Sequence, residues 1–146
     1  MQLSGTCLCG DIGFRLEGWV SPIQACHAER CRKATGGLFA PEIAASSERF
    51  EWVGNTDRIA TFEAPILHEP PAYRRNFCKR CGAPLPVEVD GADMVILHAG
   101  LLDDSSGLSV FRHAFTAQKA ECCEITDDLP RFDGQPPVPD RSEIFD

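Results

Sequence analysis

The chain has 146 residues, eight of them cysteine, and a formal net charge of −8. That length suits one domain with one moderate core, and no apolar run approaches the ~20 residues that span a bilayer. The acidic balance argues against nucleic-acid binding, since phosphate contacts need clustered Lys and Arg.

Residues 121–146 hold eight acids against Arg131 and Arg141, so the negative charge is concentrated at the C-terminus. The opening Met1-Gln-Leu-Ser-Gly5 has neither the basic nor the apolar region of a secretory leader. Eight cysteines without such a leader imply a reducing compartment, where thiols serve metals or catalysis. A soluble cytoplasmic protein without membrane contact is expected.

In chain order, Cys7-Leu-Cys9-Gly10 places two thiols in a turn closed by glycine. Residues 11–17 alternate apolar with polar and predict a strand leaving it. Residues 21–25 read as extended. From His27 to Ala34 the chain is charged and free of β-branched residues, so a turn or two of helix is expected before Gly36-Gly37. Strands follow over 38–45, 50–53 and 58–62, with a turn at Gly54-Asn-Thr-Asp57. Residues 64–72 carry Pro65, Pro70 and Pro71 and predict a surface loop.

Residues 73–77 feed a second thiol turn, Cys78-Lys-Arg-Cys81-Gly82. Residues 84–89 and 94–97 flank Asp90-Gly-Ala-Asp93 and predict a hairpin. Residues 101–108 form a polar connection, and 110–115 a last strand. Beyond Leu129 the chain is Pro-rich and acidic, and a loosely packed tail, or one ordered on contact, is expected. The division is a zinc-binding domain over 1–132 and a tail over 133–146, in a mainly β fold.

The two glycine-closed turns are the strongest chemical signal. Cys7, Cys9, Cys78 and Cys81 supply the four sulfurs of a tetrahedral zinc site, with Zn–S bonds of ~2.3 Å. Buried or disulfide-bonded cysteines are the alternative, but Cys7 and Cys9 are too close to bridge each other comfortably, and bonds between the turns would need an oxidising compartment. Four thiolates fill the coordination shell, so this zinc is structural and clips the N-terminus to the middle of the chain. Arg74, Arg75, Lys79 and Arg80 crowd the second turn and are candidates to offset the charge of the centre.

Cys26 and Cys31, ringed by Arg30, Arg32 and Lys33, suggest a low-pKa thiol pair or a partial metal site. The local positive charge suits an anionic substrate such as a carboxylate-bearing thiol tripeptide. The plainer alternative is a pair of core thiols beside an exposed basic helix.

From about Leu3 to Phe132 the chain resembles the glutathione-dependent formaldehyde-activating enzyme family, also called the centromere protein V family. The resemblance rests on Gly5-Thr-Cys-Leu-Cys-Gly10, on Cys26-His27 with Cys31-Arg-Lys33, and on Arg75-Asn-Phe-Cys-Lys-Arg-Cys-Gly82. A late strand with His113 and the closing Asp127-Asp-Leu-Pro130 extend it.

The resemblance implies a single-domain β-tent fold with two zinc sites: the structural one at Cys7, Cys9, Cys78 and Cys81, and a catalytic one at a Cys-His-Cys-x-x-Cys stretch. Here Cys26 and Cys31 match its outer cysteines, but Ala28 stands where the middle one belongs. His27, Glu29, another side chain or water must complete the shell for zinc to stay. Cys122-Cys123 also departs from the family pattern, and either packs or contributes to the depleted site.

The implied activity is that of a carbon–sulfur lyase acting on glutathione–aldehyde adducts, with Arg30, Arg32 or Lys33 steering the carboxylates. A zinc-stabilised binding or scaffold module without lyase activity is the first alternative. The second is a thiol-redox protein working through Cys26, Cys31, Cys122 or Cys123. His68, His98 and His113 are read as packed or surface histidines.

Overall fold

Residues 1–63 and 73–146 are described by the computed structural model of the chain. The expected loop over 64–72, and with it His68, lies outside them. Strand accounts for 40% of the structure and helix for 12%, in one domain of several sheets.

The first sheet grows from the alternation in β2 (Ile12–Glu17), which turns Ile12, Phe14 and Leu16 inward. It pairs antiparallel with β1 (Gln2–Thr6) on one side and β5 (Phe50–Gly54) on the other. β1 was not foreseen, because Ser4 and Gly5 have little strand propensity. Gly5 is there for space. A side chain at this position would strike the Leu101 carbonyl and, at 2.6 Å, the ring of Phe14.

The five-stranded sheet runs in the order β11 (Val110–Ala114), β3 (Ile23–Cys26), β4 (Ala40–Ser46), β10 (Met94–His98), β9 (Val87–Glu88). Within this sheet the β11–β3 pair is parallel and the other three are antiparallel. The main core forms where this sheet packs on the first, around Phe14, Leu16, Val20, Ile43, Val95 and Leu97.

The third sheet joins β6 (Ile59–Glu63), β7 (Arg74–Cys78) and β8 (Pro84–Leu85). The hairpin expected over 84–97 is therefore shared. β9 pairs with β10, whereas β8 pairs with β7. Pro86 has no N–H to continue a ladder, and Asn76 Nδ2 donates to its carbonyl at 2.9 Å, so the run divides there.

The helix α1 (Glu29–Thr35) begins two residues earlier in sequence than Cys31 and buries that residue alone. Gly36 ends it in the left-handed region at φ 70°. The C-terminal segment is tied along β11: His113 N donates to Pro130 O at 2.9 Å, and Phe115 N to Gly134 O at 3.1 Å. Its end exchanges two backbone hydrogen bonds with Val20 through Phe145. Among the described residues no helix is long and apolar enough to cross a membrane.

Candidate metal centres

Both thiol turns fold as their glycines require. Gly10 and Gly82 have φ of 79° and 73°, a region costly for any residue with a Cβ. Each donates its N–H back to the first cysteine of its turn, Gly10 to Cys7 O at 3.0 Å and Gly82 to Cys78 O at 2.8 Å. The four sulfurs of Cys7, Cys9, Cys78 and Cys81 then lie within 4.8 Å of one another.

The Cys7–Cys9 and Cys9–Cys78 sulfur pairs are 3.5 and 3.8 Å apart. Four sulfurs at 2.3 Å from one ion are separated by about 3.8 Å, so the set fits a tetrahedral metal. Ile12 N–H, 3.4 Å from Cys7 Sγ, adds a donor to sulfur.

Of the four basic residues expected around this centre, only Arg80 serves it. It sits 3.1 Å from Asp11, and the field of Asp11 and of the Cys9 and Cys78 sulfurs raises its pKa. Lys79 donates to Asp57 O, Arg74 pairs with Asp90 at 2.9 Å, and Arg75 turns towards a different cavity.

That cavity, of about 480 Å³, contains the second cluster. Cys26, at the end of β3, and Cys31, on α1, bring their sulfurs to 3.2 Å. The third donor is Glu42, from the middle of β4, with Oε1 3.5 Å from Cys31 Sγ. The three donor atoms lie within 4.8 Å of one another. Two sulfurs and a carboxylate oxygen at ordinary zinc distances are about 3.5–3.8 Å apart, so the Cys31–Glu42 spacing suits a metal as it stands and the two sulfurs would part by roughly half an ångström to share one.

Hydrogen bonding to Cys26, burial and the charge of Glu42 push the Cys31 thiol up. Burial pushes the Glu42 carboxyl up too. Acids crowded in this way resist ionising together unless a cation joins them. The flanking arginines expected to lower a thiol here do not set Cys31, which the hydrogen bond with Cys26, burial and the Glu42 charge hold up.

Glu42 was missed because it belongs to a different strand, with no cysteine near it in sequence. The other candidates for the vacancy at Ala28 face elsewhere. Glu29 is paired with Lys33 on the surface at 3.0 Å. His27 alternates with Cys26 to the opposite face of the sheet, where its Nε2 meets His113 Nδ1 at 2.9 Å.

His113 Nε2 in turn meets Asp127 at 3.0 Å, which gives Asp127 of the closing motif a partner. Cys123 lines the small hollow around these groups rather than the cavity that holds Cys26 and Cys31, and Cys122 is exposed. Among the three basic residues expected to steer carboxylates, Arg30 lines the larger cavity, with its guanidinium 4.8 Å from the Tyr73 ring centre. Arg32 caps backbone carbonyls of His27 and Gln118 instead.

Arg75 also lines the cavity, and its buried Nε finds no acceptor among the described residues. Beside it, burial and the Arg75 charge bring His98 down to about 4. A histidine held neutral in the fold favours the folded state above pH 6.5 and loses that advantage as pH falls towards 4, because the unfolded chain takes up the proton first. Stability is expected to fall by about 3 kcal/mol over this window. His98→Gln should flatten that slope in urea unfolding measured at pH 4 to 7.

Sequence comparison agrees with this architecture. The family profile described as "Glutathione-dependent formaldehyde-activating enzyme" matches residues 2–118. A relative from Halomonas elongata, provisionally named a glutathione-dependent formaldehyde-activating enzyme, is 30% identical over 87 residues. Those residues are 58% of this chain, which spans about half (55%) of that relative. A crystal structure of a Rhodobacter sphaeroides protein superposes with a TM-score of 0.50 at 16% identity, over 73% of this chain and 90% of the other. That likeness concerns the fold alone. With both cysteine centres assembled inside the matched residues, the chain belongs to the glutathione-dependent formaldehyde-activating enzyme family.

Proposed function

We propose that Cys26, Cys31 and Glu42 hold a catalytic zinc ion, that Cys7, Cys9, Cys78 and Cys81 hold a structural one, and that the protein joins a thiol reversibly to a small aldehyde, glutathione being the thiol. The reading rests above all on Glu42, which restores a third donor where Ala28 removes one. The reaction is R–SH + H₂C=O ⇌ R–S–CH₂–OH. A lone pair on the substrate thiol's sulfur forms the C–S bond, the C=O π electrons move to oxygen, and the thiol proton passes from sulfur to that oxygen.

Bound at this centre, zinc supplies Lewis acidity and favours the thiolate form of an incoming thiol. The protein supplies the rest. Arg30, held over Tyr73, and Arg75, with an unused buried donor, offer charge to the carboxylates of an anionic thiol. Phe111, Phe115, Met94 and Ile96 line the cavity and keep water from the reacting carbon. A cytoplasmic setting, in which thiols stay reduced, matches this chemistry.

The 3.2 Å Cys26–Cys31 separation favours a second reading, a thiol-redox pair. The raised Cys31 thiol weighs against it, because the thiolate is the attacking form. The test combines elemental metal analysis with NMR exchange of ¹³C-formaldehyde and glutathione. Two zinc ions per chain and exchange faster than the spontaneous reaction are expected. One ion and no acceleration would return the protein to the scaffold reading.

A further inference from the structure

We propose that Gln24, Arg112 and the carbonyl of Pro137 form a positioning relay that aims the Glu42 carboxylate, making the C-terminal segment part of the second metal centre. The inference rests on the reading that Cys26, Cys31 and Glu42 hold a metal.

The relay is built into the sheet register. Arg112 on β11 lies opposite Gln24 on β3, and Gln24 lies opposite Glu42 on β4. Side chains opposite one another on adjacent strands stand ~5 Å apart at Cβ and meet on the same face. Cys26, two residues beyond Gln24 on β3, shares that face. One polar row thus crosses three strands beside the two sulfurs.

The hydrogen bonds along the row have one direction. Arg112 Nη1 donates to Pro137 O at 2.8 Å, and Arg112 Nε donates to Gln24 Oε1 at 2.8 Å. Gln24 Nε2 then donates to Glu42 Oε2 at 3.2 Å. An amide can present either oxygen or nitrogen, and the choice follows from its partners. Arginine has donors only. Its grip on Oε1 therefore holds the Gln24 NH₂ towards Glu42, in the orientation a carboxylate acceptor also favours, and stops the amide from rotating away.

With Oε2 engaged, Glu42 Oε1 is the oxygen left facing Cys31, at 3.5 Å. Partners behind a ligand set its orientation and basicity in this way.

Arg112 itself is held on several sides. It is 7% exposed, and its guanidinium lies 4.8 Å from the Phe111 ring centre and 5.9 Å from that of Phe132. Pro136, Pro137 and Val138 line the same cavity as Cys26, Cys31 and Glu42. The segment that carries them is anchored past Pro137 by the Phe145–Val20 hydrogen bonds. Pro137 lies beyond the residues matched by the family profile, which end at 118.

Cobalt(II) replaces zinc in thiolate sites and reports its ligands through absorption, so binding can be read without turnover. The full chain, stripped of metal, is titrated with cobalt(II) alone, in the wild type and as Arg112→Lys and Gln24→Met. Lysine keeps the charge but cannot donate in two fixed directions, and methionine keeps the length of Gln24 without its amide. Two cobalt ions are expected for the wild type. Both variants should bind the second about 10- to 100-fold more weakly, with the four-thiolate spectrum unchanged.

Equal affinity for the second ion in wild type and both variants would overturn the relay. So would a parallel loss at both centres, which would mean a general structural role. Binding of a single cobalt by the wild type would instead remove the reading on which the relay depends. The four-thiolate spectrum reports folding in each sample. Should Arg112→Lys not fold, Gln24→Met decides the same link from its other end.

Discussion

Cys78→Ser is expected to abolish metal binding at the four-thiolate centre and to lower stability by at least about 4 kcal/mol, a fraction of the 10–16 kcal/mol that structural zinc contributes in small domains. For a chain of this size that shift lowers Tm by about 8–16 °C. The size of the effect follows from topology. Cys78 is fully buried at the end of β7 and meets Cys9, 69 residues away, in a small cluster with Ile12 and Leu85.

Apolar contact at that junction is limited, since besides the cysteines only Ile12 and Leu85 of its cluster are buried, with Trp52, Ile59 and Ala83 half-buried against them. Circular dichroism melting and metal release to a chromophoric chelator would read the two effects together. An unchanged Tm with full metal content would refute the clip.

Glu42→Gln should remove one metal equivalent per chain and leave the other, with loss of about 100-fold or more in affinity at the second centre. The amide matches the carboxylate in shape but is an uncharged and weaker donor, so a divalent ion loses one of its three charged ligands. The metal-free protein should respond in the opposite sense. Burial already disfavours the ionised carboxylate, so removing it is expected to leave the stripped protein as stable as before or slightly more so.

Opposite signs in the two states separate a ligand from a structural residue. Restoring sulfur should compensate. Ala28 is buried beside Cys26, Cys31 and Ala40, and the double variant Ala28→Cys with Glu42→Gln is expected to regain the second metal. Elemental analysis of the single and double variants checks both statements, and an unaltered metal count in Glu42→Gln would contradict them.

The thiol turns were legible from sequence because their chemistry is local. Two cysteines and a glycine within five residues define where both sulfurs point, and the positive φ of Gly10 and Gly82 is what that local geometry demands. β2 was legible for the same reason, since alternation over residues 11–17 already states which face is buried. β4, β5 and β6 were expected as strands, whereas residues 21–25 read only as extended and 73–77 carried no strand expectation. The acidic end beyond Leu129 was legible only as composition. Whether it lies against the sheet depends on backbone partners in β11 and on Val20, far away in the chain.

The second centre was half legible. Cys26 and Cys31 sit in one short segment and could be paired on paper, whereas Glu42, Gln24 and Arg112 reach it from three strands. The hydrogen bond between Gln24 and Arg112 spans 88 residues, and no periodicity marks either one. Register decides such a row. A slip of one residue in β4 would turn Glu42 to the other face and replace it by Pro41 or Ile43. The sequence by itself determined a β-rich chain with a four-sulfur clip and a thiol pair beside a missing cysteine. Only the pairing of β11, β3 and β4 decided that Glu42 stands beside that thiol pair, because strand register places side chains across the sheet irrespective of their distance along the chain.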